Sequence, residues 1–211
     1  MYAPSHFHET RLDVLHSLIE RYPLGTLITV IDGEITANHV PFLIEGSDSG
    51  PGILKCHVAK ANPVWRELSN HKELLVVFQG CNTYVSPSWY PSKYEHGKAV
   101  PTWNYTVAHA RGIAQTTTDR EWLLQHVRQL SDTHEAKQVM PWQVSDAPTD
   151  YIDKMLGAIV GIEISLSSLE GKWKVSQNRS ESDRVGVVAG LESMRSEDAL
   201  AMSDIIQGLA K

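Results

Sequence analysis

The stretch from Tyr84 to Tyr105 reads YVSPSWYPSKYEHGKAVPTWNY. It holds three Pro, two Trp and four Tyr, whereas aromatic residues make up 8% of the whole chain. Because proline fixes its own φ and restricts the preceding residue, the segment is predicted to be neither helix nor regular strand. Disordered segments are poor in aromatic residues, so we expect an ordered loop. It is either a structural loop packed by its own rings or the wall of a site for a flat, aromatic, partly polar ligand.

Composition and charge narrow the classes of protein that the chain can belong to. Its 211 residues are 42% apolar and 21% charged, as in a globular protein, and one domain (residues 1–211) with a C-terminal helical extension is expected. The net charge of −6 does not favour direct DNA binding. No run approaches the ~20 apolar residues of a membrane span. Cys56 and Cys81 lie in predicted strands and are interpreted as reduced thiols of a cytoplasmic protein. The ten histidines show no ligand spacing that predicts a metal site.

The residues before the aromatic loop predict mostly antiparallel β structure. A helix is expected from Glu9 to Arg21, where apolar residues recur at helical spacing. Asp32-Gly33 separates two β-rich runs, LGTLITVI and EITANHVPFLIE, and is a strong hairpin signal. The further expected elements are a loop from Gly46 to Gly52, a strand from Ile53 to Val58, a helix from Asn62 to Ser69 and a strand from Leu74 to Phe78.

The second half adds strands and a helical tail. The expected elements are a strand from Trp103 to Thr118, a helix from Asp119 to Ser131, an irregular stretch from Asp132 to Pro148, a helix from Tyr151 to Leu156, a strand from Ile159 to Leu166 and helices after Ser180, the last capped by Ser196. This pattern predicts a fold that is mostly β with flanking helices (α+β), arranged as a barrel or sandwich.

Three segments besides the loop carry chemical information. In KCHVAKAN, Lys55 to Asn62, a lysine precedes a predicted helix start, so Lys60 and Asn62 suit a ligand phosphate. Alternatively, Lys55 and Lys60 are solvated charges at a strand edge. In Trp103-Asn104-Tyr105, an amide between two rings suits the edge of a heterocycle. KWKVSQNRS, Lys172 to Ser180, is either a solvated turn or a basic part of a site.

Several motifs resemble one known family. YVSPSWYPS, VPTWNYTVAHARG, HVAKANPVW and KVSQNRSESDRVGVVAGL are similar to segments of the PaiB-type family of FMN-binding proteins, in the same order and over nearly the whole chain. That family has the split β-barrel fold of FMN-binding proteins, whose wider members include pyridoxamine phosphate oxidases and flavin reductases. The resemblance implies a homodimer with FMN bound in a cleft between the subunits.

The resemblance also implies which residues bind the cofactor. The ribityl and phosphate part would be lined by His57, Val58, Ala59, Lys60 and Asn62. The neighbouring loop would contribute Ser86, Pro87, Ser88, Trp89 and Tyr90. Trp103, Asn104 and Tyr105 would approach the flavin, and Lys174 and Gln177 would reach in from the C-terminal part. The chain lacks a G-x-G-x-x-G dinucleotide motif, which favours FMN over FAD.

The sequence indicates the function less directly than the fold, because one fold hosts many activities. The PaiB family is described as negative transcriptional regulators that affect sporulation and degradative-enzyme genes. The chain shows no convincing helix-turn-helix and no catalytic constellation, and its basic patches are small. We therefore expect an FMN-binding flavoprotein of the regulator family. The alternative is an FMN-dependent oxidoreductase, such as a flavin reductase or a pyridoxamine phosphate oxidase-like enzyme, followed by a haem-binding or haem-degrading relative.

Overall fold

The computed structural model describes residues 1–31, 33–47, 50–68 and 73–209, which group into two compact units. Unit 1 comprises Met1–Leu18, Gln79–His109 and Glu170–Lys211, and unit 2 comprises Ile19–Phe78 and Ala110–Leu169. Each unit is built from separate segments because three long strands contribute residues to both. The expectation of a single domain stays a prediction.

Strands and helices alternate irregularly along the chain. The strands of the described part are β1 (His8–Glu9), β2 (Leu24–Ile31), β3 (Glu34–Pro41), β4 (Leu43–Ser47), β5 (Gly50–Ala59), β6 (Glu73–Val85), β7 (Thr102–Thr117) and β8 (Ile159–Lys174). The helices of the described part are α1 (Leu12–Arg21), α2 (Val64–Glu67), α3 (Ser92–His96), α4 (Arg120–Glu135), α5 (Thr149–Leu156), α6 (Glu181–Met194) and α7 (Glu197–Gly208). The strand order is β3-β2-β6-β7-β8-β5-β4, and β1 pairs with β8.

The hairpin predicted from Asp32-Gly33 is confirmed. Strands β2 and β3 pair antiparallel from Leu24 opposite Pro41 to Ile31 opposite Glu34. Gly33 has φ 85°, a left-handed conformation that glycine adopts without steric cost. Asp32 lies outside the described residues.

The loop predicted between Gly46 and Gly52 is wrong at its ends. Strand β4 continues to Ser47, which pairs with Gly50 at the start of β5. A register shift between Glu45 and Ser47 absorbs the irregular backbone, so pairing continues through residues of low strand propensity. Asp48 and Ser49 lie outside the described residues.

The aromatic segment was predicted to lack regular structure, and that prediction is wrong in part. Tyr84 and Val85 are the last two residues of β6. Pro87–Trp89 forms a 3-10 turn, and α3 follows it. Pro87 occupies the start of its turn, where a missing N–H costs nothing, and the Ser86 hydroxyl accepts a hydrogen bond from the N–H of Ser88. Pro87 and Pro91 therefore begin helical turns rather than preventing them, whereas Pro101 directly precedes β7.

Element ends differ from prediction where distant partners determine them. Helix α1 starts at Leu12 rather than Glu9, because Glu9 pairs with Gly171 in the sheet. Strands β6 and β8 extend beyond their predicted ends to Val85 and Lys174, alongside neighbouring strands.

A helix start that a local side chain determines is confirmed. The predicted N-cap Ser196 accepts a hydrogen bond from the N–H of Ala199. Ser180, which was not predicted as a cap, accepts one from the N–H of Asp183 at the start of α6. The helix predicted from Asn62 is shorter than expected, since α2 has four residues, and Ser69 lies outside the described residues. None of the helices in the described ranges is long and apolar enough to cross a membrane.

Strand β5 belongs to the packed core of unit 2. Strand β5 buries alternate side chains, and it pairs with β8 so that Leu54 is opposite Ile164 and Cys56 is opposite Ile162. All four of these side chains are inaccessible to solvent. Each such burial stabilises the folded state by roughly 1.5–3 kcal/mol. Residues 57 to 62, which follow directly, are therefore held in place by packed strands.

Candidate functional site

The predicted cofactor-binding residues lie in both units. Unit 2 contains the strand-end set, His57, Val58, Ala59, Lys60 and Asn62. Unit 1 contains Ser86, Pro87, Ser88, Trp89, Tyr90, Trp103, Asn104, Tyr105, Lys174 and Gln177. Each set is therefore described within its own unit.

In the strand-end set, Lys60 and Asn62 have different surroundings. The Lys60 side chain is exposed and forms no ion pair with any described residue, so its ammonium is available to an anion. The amide of Asn62 is already engaged: its Oδ1 accepts from the N–H of Val64 at 3.0 Å, and its Nδ2 donates to Asn38 at 2.8 Å. Asn62 therefore fixes the chain around Lys60, and the phosphate contacts of both residues stay a prediction.

His57, which is half-buried, forms a pair with the buried His126 that sequence reasoning missed. Its Nδ1 lies 3.1 Å from Nε2 of His126 on α4, and the indole of Trp122 stacks on His126 with ring centroids 5.1 Å apart. His126 is 3% exposed. Burial lowers the pKa of His57, and burial together with the nearby His57 and Lys55 lowers the pKa of His126 to about 4. Both imidazoles are therefore neutral at pH 7.

Unit 2 also contains a mainly apolar cavity of about 490 Å³ that His57 helps to line. The other walls include Trp142, Tyr151 and Met155. A volume in this range is typical of sites for small organic molecules.

In unit 1 the aromatic segment is anchored by α6. Gly186 and Gly190 lie against Trp89, and a Cβ atom at Gly190 would overlap its indole ring. The carboxylate of Asp183 accepts hydrogen bonds from the N–H and hydroxyl of Ser92 at 3.1 and 2.8 Å. Burial opposes ionisation of Asp183, but these bonds outweigh it and lower the pKa of the carboxyl group.

Tyr90 is buried inside unit 1 rather than presented at its surface. Its ring is inaccessible to solvent, and the guanidinium carbon of Arg179 lies 4.6 Å from the ring centroid. Trp89 and Tyr90 thus fix the segment. Among the other predicted loop residues, Ser86 and Pro87 form the turn and Ser88 is exposed.

The Trp103-Asn104-Tyr105 motif alternates between the two faces of β7. Trp103 is 55% exposed and its ring meets that of Tyr84, 43% exposed, edge to face at 6.2 Å. Asn104 is 1% exposed, and its Nδ2 donates to the Ser176 hydroxyl at 2.9 Å. The ring of Tyr105 is 5.5 Å from the ammonium of Lys172. The motif therefore presents aromatic rings outside and a fixed amide inside.

The two C-terminal residues of the predicted set differ in availability. Lys174 donates to the Thr102 hydroxyl and to the carbonyl of Trp103 at 2.6 Å. Burial, with the positive charges of Lys172 and Arg179, lowers the pKa of its ammonium. Gln177 uses both ends of its amide on nearby backbone, accepting from the N–H of Val175 and donating to the carbonyl of Trp173. Gln177 therefore stabilises the backbone conformation at the end of β8 through side-chain hydrogen bonds.

The fold is a split β-barrel, mostly β with flanking helices. A family model described as "Putative FMN-binding domain" matches residues 1–168. The chain belongs to this family, and the cofactor that the family assigns to it is FMN. The predicted fold class and cofactor are thereby confirmed, as is the resemblance to PaiB-type proteins.

Individual relatives extend over nearly the whole chain. An uncharacterized protein of Emericella nidulans is 32% identical over 244 residues, covering 98% of this chain and 96% of the relative. The protease synthase and sporulation protein PAI 2 of Bacillus subtilis is 28% identical, covering 100% and 99%. The structure of the FAD and heme binding protein from Mycobacterium smegmatis superimposes with a TM-score of 0.60 and 18% identity, covering 79% of this chain and 73% of that one.

Proposed function

We propose that the protein is a cytoplasmic, homodimeric FMN-binding regulator of the PaiB type, with the flavin held at the interface between subunits. The observation that carries the proposal is the exposed aromatic pair of Trp103 and Tyr84, which is held on strands β7 and β6. Flat ligands bind to such surfaces at low entropic cost, because the rings are already oriented. The buried thiol of Cys56 supports a reducing compartment.

The residues present fit FMN in their chemistry. Within unit 1, Trp103 and Tyr84 offer aromatic surface to an isoalloxazine. Within unit 2, the exposed ammonium of Lys60 offers charge to a phosphate group. FMN supplies redox chemistry when bound, and the protein supplies position and electrostatics. His57 and Ala59 on β5 would line the ribityl part, and the backbone there is fixed by pairing with β8.

Exposed apolar side chains on unit 2 support self-association. Leu24, Val30 and Ile35 are 62%, 58% and 77% exposed on strands β2 and β3, and β3 lies at one end of the strand order. An unpaired edge carrying apolar side chains is commonly covered by a second copy. Sedimentation at low micromolar concentration tests this part of the proposal: a stable FMN-loaded monomer would contradict it.

The C-terminal helices do not favour direct reading of DNA by this chain. Helices α6 and α7 carry six acidic residues and one basic one, a net charge of 1 − 6 = −5. A DNA phosphate backbone would be repelled by this charge. The regulator role is supported by the similarity to the sporulation protein of B. subtilis, and we propose that it acts through the flavin or a partner protein.

A flavin-dependent oxidoreductase is the second candidate. The cavity of about 490 Å³ beside His57 favours it, because an enzyme needs room for a substrate in addition to the cofactor. Its wall includes the imidazole of His57 and the hydroxyl-bearing residues Ser131 and Tyr151, which suits a mainly apolar substrate with hydrogen-bonding groups.

One experiment separates the two functions. The visible spectrum of the purified protein is recorded before and after addition of NADH or NADPH in the absence of air. The regulator function is supported if the protein is yellow, stays oxidised and, together with the proposed partner protein, retards a promoter fragment in a gel. Catalytic bleaching supports the oxidoreductase. A colourless protein that also fails to bind added FMN would refute both.

A further inference from the structure

Unit 1 contains a small cavity whose lining includes two cationic side chains. Its volume is about 180 Å³, and its polar lining consists of Thr102, Asn104, Lys174, Ser176, Asn178 and Arg179, together with the hydroxyl-bearing ring of Tyr90. Among the described residues that line it, there is no aspartate or glutamate. The adjoining cavity that shares Asn178 and Arg179 is different, because Glu95 and Asp183 lie in its wall.

The two cations of the cavity have only neutral partners within it. Lys174 donates to the hydroxyl of Thr102 and the carbonyl of Trp103, which leaves one of its three N–H groups for a ligand. Arg179 lies over the ring of Tyr90. Neither cation belongs to an ion pair of the described part of the chain. Two positive charges held close together repel each other, which is a cost that a bound anion would remove.

The carboxylate of Asp183, on α6, interacts electrostatically with Arg179, but it does not line this cavity and forms no ion pair with either cation among the described residues. Its oxygens accept hydrogen bonds from the hydroxyl and the N–H of Ser92, and Asp183 lines the adjoining cavity instead. Lys172, on the same strand as Lys174, does not line the cavity, and its ammonium lies by the rings of Tyr2 and Tyr105.

Ser176 supplies a fixed hydroxyl to the same cavity. It is 4% exposed and has φ 67°, a left-handed backbone conformation that is unfavourable for a residue other than glycine. Its oxygen accepts a hydrogen bond from Asn104, so its own proton can be donated to another group. A strained, buried serine beside two cations is therefore oriented as a hydrogen-bond donor.

We propose that this cavity binds an oxyanion, specifically a phosphate group, through Lys174, Arg179 and the hydroxyl of Ser176. A volume of about 180 Å³ corresponds to roughly six waters of liquid, at ~30 Å³ each. This space holds a phosphate group, whereas whole organic ligands occupy about 300 Å³ or more. Four lining residues, Lys174, Ser176, Asn178 and Arg179, follow residue 168, the last residue matched by the family model.

Binding of inorganic phosphate to the full-length protein tests the site by isothermal titration calorimetry. Charged hydrogen bonds in a partly enclosed site are strong, so Lys174→Met should weaken phosphate binding at least about tenfold. Lys172→Met is the matched control: it removes the same charge two residues away but does not line the cavity, and its affinity should stay within about twofold of wild type. Absence of phosphate binding, or an equal loss in both variants, would overturn the proposal.

A second variant keeps the test valid if Lys174→Met does not fold. Arg179 lies outside the strands, so Arg179→Gln removes the other cation without interrupting a strand pair, and circular dichroism verifies its fold. It should also lose phosphate affinity about tenfold. Unchanged phosphate affinity in a folded Arg179→Gln would overturn the assignment of Arg179.

Competition with FMN and riboflavin shows whether the bound phosphate belongs to the cofactor or to a separate ligand. The proposed oxyanion site does not depend on the outcome. If FMN displaces inorganic phosphate and riboflavin does not, the cavity holds the phosphate of the cofactor. If phosphate binds FMN-saturated protein with the same affinity, the cavity serves a separate phosphate ligand. Both results support an oxyanion site, and a protein that binds phosphate but no flavin refutes only the proposed function.

Discussion

The pair of half-buried His57 and buried His126 predicts a specific dependence of stability on pH. Both imidazoles are neutral in the folded protein, and burial lowers both pKa values. An unfolded histidine has a pKa near 6.5 and binds a proton more readily below that pH. Acidification therefore favours the unfolded chain, starting near pH 6.5, until His126 itself becomes protonated in the folded state near its pKa of about 4.

The magnitude follows from the two pKa values of His126. Linkage between a pKa of 6.5 unfolded and about 4 folded lowers the free energy of unfolding by about 2 kcal/mol from pH 7 to pH 5. The loss saturates at about 3 kcal/mol below pH 4, because each pKa unit corresponds to ~1.4 kcal/mol. Above pH 7 the pair contributes no pH dependence.

Comparison of variants isolates this contribution from other titrating groups. The free energy of unfolding is measured in urea at pH 7 and pH 5 for the wild type, His126→Gln and His134→Gln. A glutamine side chain is not ionisable, so the His126→Gln variant should lose about 2 kcal/mol less on acidification than the wild type. His134 is exposed on the same helix, and its substitution should leave the pH dependence unchanged. An equal acid-induced loss in the wild type and His126→Gln would refute the neutral pair.

Three further predictions concern the cofactor and packing. Lys60→Ala should weaken FMN binding about tenfold to a hundredfold and leave riboflavin binding unchanged in equilibrium titrations, and equal losses would show damage to the fold instead. Gly190→Ala should lower the free energy of unfolding in urea by about 1–3 kcal/mol, because overlap with Trp89 outweighs the ~1 kcal/mol that alanine adds to a helix. Arg195, at φ 54° after α6, is exposed, so Arg195→Gly should raise the free energy of unfolding by about 1 kcal/mol in the same assay; a decrease would contradict the left-handed helix end.

Features governed by neighbouring residues were predictable from the sequence. The Asp32-Gly33 hairpin and the serine cap at Ser196 follow from local backbone and side-chain chemistry. Alternation of residues likewise predicted β7, because the pleat repeats every two residues. The fold class and the FMN family followed from these elements together with motifs that extend along the chain.

Features that depend on distant residues required the tertiary structure. His126 is 69 positions from His57, and a helical histidine shows no sign in the sequence of the burial that makes it neutral. Lys174 and Thr102 are 72 positions apart, and only strand pairing places them at one cavity with Arg179. The sequence by itself determined local conformation and the family. The tertiary structure alone decided which charges remain without carboxylate partners among the described residues, because burial and pairing arise when distant segments pack.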